Sequence, residues 1–302
     1  SLKSVLFQLP NAVSLLCDSF QAPSSERTYT FASSGALLVD SINQTSSIDP
    51  LPDAALLRTN NETPVPITLL PPSDVHKKYP VLFVSYGLYG KTLTPQYRPM
   101  WNILRQHGVG IAIAHIRGGG FYGPQWHEAG RGQNRLKAVN DVENAAQYLK
   151  AQHPRIVAYG KSAGGWPILQ ALLKNPSLFD AAILDSPIVD PIRQITSQDR
   201  FYSLEDYEWK VSLGAKLYPE QKSVTKHAQF IRSIPVYLRW SSQDSLILSE
   251  PLVHWIEEVK SSKSSPIRLI LDTSDSASHL GETLLDKQIQ SEARQVLFIL
   301  SR

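Results

Sequence analysis

The 302-residue chain contains a single cysteine, Cys17. One thiol can neither close an intramolecular disulfide nor build a cysteine-based metal cluster, so it reads as a small buried apolar residue. A chain without disulfides fits a reducing, cytoplasmic compartment. Long apolar runs are missing too: no uninterrupted stretch reaches the roughly 18 to 20 residues that a membrane span needs, which argues against a membrane partner. Charge of either sign is not in excess. Lys and Arg number 30 against 27 Asp and Glu, a formal charge of +3, and no dense basic block stands out. Nucleic-acid binding therefore has no electrostatic footprint. What is present is 42% hydrophobic residues in a length sufficient for one large α/β domain, or a medium domain with an appendage.

The start resembles a targeting signal only superficially. Lys3 precedes Val5-Leu6-Phe7, but Gln8, Pro10 and Asn11 break the apolar core a signal peptide wants, so these residues read as strand. The first residue is Ser, and the expectation is a piece of a longer chain. Up to about residue 48 the pattern is short β segments, Val13 to Leu16, Thr28 to Phe31 and Ala36 to Val39, separated by Pro/Ser-rich turns. From Ala54 the texture changes. Val65 to Leu70 and the continuous apolar run Tyr79 to Tyr86 read as strands, the second buried on both faces. Helices at Gln96 to His107, Arg135 to Gln152, Ala163 to Lys174, Glu250 to Ser261 and Glu282 to Leu300 alternate with strands at Gly108 to His115, Arg155 to Tyr159, Ala181 to Asp185, Pro235 to Trp240 and Ile267 to Leu271. Such alternation predicts a doubly wound, mostly parallel sheet, with an irregular excursion from Ser186 to about Ser233. Pro167, in the first turns of its helix, predicts a slight distortion and no break.

Within this frame Gly160-Lys161-Ser162-Ala163-Gly164 fits G-x-S-x-G, between a strand and a helix. Small residues two positions either side of a serine let the backbone turn sharply and lift Oγ off the sheet, which makes Ser162 the candidate nucleophile. A base and an acid should follow on loops after later strands, in the order acid then histidine. Asp244 lies after the strand ending at Trp240 and His279 after the strand ending at Leu271. Asp272 and Asp275 compete as the acid; His107, His115, His127, His153 and His254 compete as the base. Position favours Asp244 and His279. Charge developing on a carbonyl oxygen needs preorganised donors. The Ala163 amide is one, and the second belongs to the loop after an earlier strand, where Tyr86-Gly87 ends the apolar run. Neither metal nor cofactor is called for.

Several further stretches resemble the catalytic domain of the prolyl oligopeptidase family of serine peptidases, most closely its oligopeptidase B branch. They are Tyr86 to Gly90, His115 to Gly120 with Trp126 to Gly130, Asn140-Asp141, Gly160 to Gly165, Pro176 to Phe179, Val189 to Pro191 and Asp244-Ser245. The resemblance implies an α/β-hydrolase fold over residues 49–302, Ser162, Asp244 and His279 as the triad, and the Tyr86 hydroxyl with the Ala163 amide as oxyanion donors. It also implies that residues 1–48 are a remnant of the last blade of a β-propeller. That predicts an N-terminal propeller encoded upstream, or self-association through exposed strands.

The departures from the family's pattern bear on substrate. Leu246 stands where the family usually has an arginine that holds a substrate carbonyl, and Phe121 where a glutamate is common. The histidine loop reads Ser278-His279-Leu280-Gly281. In the oligopeptidase B branch, acidic residues select Arg or Lys at the cleaved bond, and Asp206 and Glu208 are the matching positions. The leading expectation is a serine oligopeptidase cutting short peptides, after Arg or Lys. The alternatives are an esterase or acyl-transfer hydrolase with a weakened peptide clamp, and a catalytically feeble interaction module.

Overall fold

The computed structural model describes residues 2–9, 12–17, 20, 25–31, 37–43, 54–75, 78–94, 96–191, 194, 207–209, 234–247, 249–261, 268–275, 277–279, 281 and 284–302. Strands β1 (Leu2–Leu9), β2 (Ala12–Cys17), β3 (Ser25–Phe31) and β4 (Leu37–Asn43) form a four-stranded antiparallel meander in sequence order. A propeller blade has this arrangement. The proposed boundary at residue 48 lies outside the described residues.

The second sheet has eight strands: β5 (Ala55–Arg58), β6 (Pro66–Leu70), β7 (Val81–Ser85), β8 (Gly110–Ala114), β9 (Ile156–Lys161), β10 (Ala181–Asp185), β11 (Val236–Ser241) and β12 (Leu269–Ser274). They lie in the spatial order β5-β6-β8-β7-β9-β10-β11-β12. Pairing is antiparallel from β5 to β6 and from β6 to β8, and parallel throughout the rest. The helices are α1 (Pro99–Gln106), α2 (Pro124–Glu128), α3 (Arg135–Lys150), α4 (Gly165–Lys174), α5 (Ser249–Ser261) and α6 (Leu285–Leu300). This is the doubly wound, mostly parallel sheet expected from the alternating pattern, in the α/β-hydrolase fold that the resemblance implied.

Central strands are buried along their whole length because helices cover both faces. Phe83, Ala112, Ala158, Leu184 and Leu238 face one cluster, filled by α3, α4 and α5. Leu82, Ile111, Val157, Ile183 and Tyr237 face the other, filled by Met100, Trp101 and Leu104 of α1 and Phe298 and Ile299 of α6. The period-two alternation assigns successive side chains of each strand to opposite layers. In α3 the buried Ala138, Val142, Ala145 and Leu149 form one stripe at helical spacing. Pro167 sits within the first turn of α4, and the helix runs on unbroken to Lys174, as expected.

A buried ion pair ties the loop after β8 to α3. Asp141 is fully buried, and its carboxylate accepts from the Arg117 amide (2.9 Å), Nε (2.8 Å) and Nη2 (2.5 Å). This contact gives a physical reason for the Arg117 and Asn140-Asp141 motifs. The glycines after Arg117 let the loop pack backbone to backbone: Gly118 has φ +90°, and a Cβ there would lie 2.1 Å from Gly87 O. Asp141→Ala leaves a guanidinium largely buried without its partner, and the expected loss is about 3 kcal/mol in urea unfolding; a loss below about 1 kcal/mol would show the pair to be dispensable.

Candidate active site

The path from β9 into α4 carries the nucleophile elbow. Ser162 has φ 54°, left-handed backbone that a residue with a Cβ adopts only under constraint. Its neighbours supply that constraint. A Cβ on Gly160 would lie 2.8 Å from Gly165 Cα, and one on Gly165 would lie 2.6 Å from Pro187 Cβ. The serine's carbonyl accepts from the Ile188 amide at 3.0 Å, which pins the turn to the chain leaving β10.

The two partners reach this serine from loops beyond β11 and β12. His279 Nε2 is 3.0 Å from Ser162 Oγ, and His279 Nδ1 is 2.9 Å from Asp244 Oδ2. Asp244 Oδ1 accepts from the amides of Leu246 and Ile247, each at 2.9 Å. Burial alone would raise the Asp244 carboxyl, but the hydrogen bond from His279 and the Ile247 and Leu246 amides outweigh it and hold it below the ordinary aspartate range. An ionised Asp244 accepts from Nδ1–H, which leaves Nε2 as the acceptor for the serine hydroxyl. The histidine loop is closed by Ser278 and Gly281, whose backbones exchange two hydrogen bonds of 2.9 and 3.0 Å.

The competing groups are engaged elsewhere. Asp272 accepts from the Tyr237 hydroxyl and from Arg294 Nη2, and Asp275 from Ser242 Oγ. His107 and His153 bond to the carbonyls of Ile103 and Tyr79. His115 bonds to Thr68 Oγ1 and stacks on Phe121 at 4.1 Å, so the residue found where glutamate is common serves an aromatic contact. Burial pushes the His115 pKa down to about 4.

For the oxyanion, the helical turn that begins at Ser162 leaves its leading amides, Ala163 among them, without intrahelical acceptors. Tyr86 follows β7 directly and packs against the elbow: a Cβ on Gly164 would lie 2.8 Å from Tyr86 Cδ2. Leu246 presents a side chain that is 41% exposed, while its amide serves Asp244.

Glu208 departs from expectation. Rather than facing a substrate, it is buried and paired with Arg135, whose Nη2 donates to Oε1 at 2.5 Å, and His127 Nε2 lies 2.7 Å from Oε2. An uncompensated carboxylate in that position would be costly, and the guanidinium satisfies it. Arg135 Nη1 also donates to Gly87 O at 3.0 Å, and its guanidinium lies 4.7 Å from the Trp209 ring centroid. Trp209 in turn meets Trp166 of α4 edge-on at 5.5 Å. Arg135 therefore joins the loop after β7 to the elbow helix. Sequence reasoning missed it, because its partner lies 73 positions away. Asp206, the other specificity candidate, lies outside the described residues.

A parallel-core sheet with a strained serine elbow and a Ser-His-Asp constellation at its strand ends defines the class as an α/β-hydrolase-fold chain of the serine hydrolase type. Comparison with known proteins narrows this. The model of the prolyl oligopeptidase family matches residues 95–300, more than half of the chain, and the chain belongs to that family. Prolyl endopeptidase-like protein of Gallus gallus is 30% identical over 160 residues, 51% of this chain and 22% of its own length. Protease 2 of Moraxella lacunata is 24% identical over 230 residues, 74% of this chain and 33% of its own length. The chain thus spans a third or less of these curated relatives. Oligopeptidase B from Leishmania major superimposes with a TM-score of 0.76 at 19% identity, covering 95% of this chain and 42% of that one. A structure of prolyl endopeptidases gives 0.79 at 20% identity over 99% and 45%. At these identities the structures speak for the fold. No helix among the described residues is long and apolar enough to cross a membrane.

The depressed Asp244 pKa makes a signed prediction. A carboxyl held lower in the folded chain contributes stability above its unfolded pKa of about 3.9 and loses it as pH falls through the lower folded value. In urea unfolding, the stability difference between wild type and Asp244→Asn is expected to be flat above pH of about 5 and to shrink below about 3.9. A difference unchanged down to pH of about 2 would contradict the assignment.

Proposed function

We propose that the chain is the catalytic unit of a serine peptidase that hydrolyses short peptides through an acyl-enzyme at Ser162. The observation that carries this reading is the single imidazole, His279, set between Ser162 Oγ at 3.0 Å and Asp244 at 2.9 Å. Nε2 takes the serine proton as Oγ attacks the scissile carbonyl, and Asp244 stabilises the imidazolium. The Ala163 amide and Tyr86 hydroxyl meet the oxyanion. Nε2 then returns the proton to the departing amine, and water deprotonated by the same nitrogen releases the acyl group.

Preference for Arg or Lys at the cleaved bond rests on Asp206, since Glu208 is occupied by Arg135 and His127. Esterase or acyl-transfer activity is the second reading, favoured by the exposed aliphatic side chain of Leu246. An aliphatic chain makes no charge-assisted bond to a peptide carbonyl. The single cysteine supports a cytoplasmic location. The edge strands β1 and β4, unpaired on their outer sides among the described residues, support an upstream propeller or a second copy as partner.

A fluorophosphonate probe is expected to label the wild type and not Ser162→Ala, and kcat of that variant on any substrate should fall by ~10⁴ or more. Absence of labelling in the wild type would remove both hydrolase readings, and turnover of short-chain esters without peptide cleavage would favour the second. Asp206→Asn should lower kcat/KM for an Arg-containing peptide by about 10-fold relative to a neutral one. Glu208→Gln should instead appear as lost stability of about 3 kcal/mol.

A further inference from the structure

On the face of the sheet covered by α1 and α6, a cavity of about 440 Å³ opens at the ends of the central strands. That volume lies within the range of small-ligand sites. It touches the reaction centre at three places: Tyr86, Lys161 immediately before the nucleophile, and Gly281 two residues after His279.

Its floor is a row of charges fixed by strand register. Lys161, Asp185 and Arg239 are pairing partners on β9, β10 and β11, and Tyr159 precedes Lys161 on the same face. Asp185 is buried between Arg239 Nη1 at 2.8 Å, the Tyr159 hydroxyl at 3.1 Å and Lys161 Nζ at 3.4 Å. Burial would raise its pKa, but Lys161 and Arg239 prevail and hold it low, so it is ionised. One carboxylate thus stands against two cations. Arg98 and Glu292 also line the cavity, so three basic and two acidic side chains leave one positive charge in excess.

A second, independent observation also points to a polar occupant. Ser85 and Ser291, each only 3% exposed, line this cavity from β7 and α6, and their hydroxyls have no hydrogen-bond partner among the described residues. Buried hydroxyls ordinarily find one. The rest of the wall mixes the apolar Val84, Leu93, Met100 and Trp101 with Tyr97 and the amides of Gln96, Gln288 and Gln295. A cationic floor, two unpaired hydroxyls and a wall that offers both apolar and amide contacts match a residue that carries both a carboxylate and an aliphatic or aromatic side chain.

We propose that this cavity receives the free C-terminal carboxylate of a short peptide, held by Lys161, Arg239, Ser85 and Ser291. The inference rests on the peptidase reading of Ser162, because it is continuity with that centre that makes the ligand a peptide end. A site of this kind confines cleavage to bonds near the C-terminus of short substrates.

The test uses the full chain carrying Ser162→Ala, with matched short peptides ending in a carboxylate or a carboxamide, and inorganic phosphate as a third ligand, by calorimetry. The carboxylate peptide is expected to bind about 10-fold more tightly than the amide. Adding Lys161→Met should bring the two within about 2-fold, and Ser291→Ala, on α6 and away from the elbow, should narrow the gap less. Equal affinity for the two peptides, no binding of either at millimolar concentration, or a preference that survives both substitutions overturns the proposal. So does phosphate binding as tightly as the peptide acid, which would make this a free-anion site. The peptidase reading fails separately: a wild type that resists the fluorophosphonate probe while the carboxylate preference persists would lose its reaction and keep this site.

Discussion

A backbone turn that a side-chain-bearing residue avoids is the point from which the reactive geometry is measured. Left-handed φ at a non-glycine residue costs about 1–3 kcal/mol and persists only where the surroundings over-determine it. At Ser162 they do: Gly160 and Gly165 approach within a distance no Cβ would tolerate, Pro187 closes the far side, and the Ile188 amide holds the serine's carbonyl. The parallel register of β7, β9 and β10 supplies those neighbours. The elbow is thus a property of the sheet as much as of its own five residues, and the histidine and aspartate loops need only reach a point the sheet has already placed.

Charge enters the structure in two ways that contrast. Asp244 is tuned for chemistry, with one oxygen given to His279 and the other to backbone amides, so that the carboxylate stays ionised beside the imidazole. Glu208, Arg135, Asp141 and Arg117 are structural. Each pair spans a long sequence separation: Glu208 with Arg135 ties the segment beside Trp209 to α3, and Arg117 with Asp141 ties the loop after β8 to the same helix. Arg135 bonds both to Gly87, next to Tyr86, and to the segment that packs on the elbow helix. The loop after β7 and the elbow helix are therefore tied through one guanidinium.

Legibility in the sequence follows the range of the interaction. Strands β7, β8 and β10 declare themselves as continuous apolar runs, because burial on both faces removes any need for alternation. The short, exposed edge strand β5 and the five-residue α2 have no such pattern, and neither was assigned from sequence. The meeting of Ser162, Asp244 and His279 was legible because the fold places them at strand ends in a set order. The pairing of Glu208 was not legible for the complementary reason. An acidic residue in an irregular stretch looks the same whether it faces solvent, substrate or a buried arginine, and only the fold brings Arg135 to it.

Leu246 shows how the two kinds of information separate within one residue. Its amide donates to Asp244 and its carbonyl accepts from Gln194, so the backbone is committed to holding Asp244. The side chain is an exposed aliphatic one. The hydrogen bond that position 246 gives Asp244 comes from the backbone, so it does not depend on which side chain stands there. The cavity floored by Lys161, Asp185 and Arg239 borders the same reaction centre at Tyr86, Lys161 and Gly281. Its charges are fixed by strand register and not by the loop that carries Leu246, so the two surfaces can differ independently while the elbow and its two partners stay where the sheet puts them.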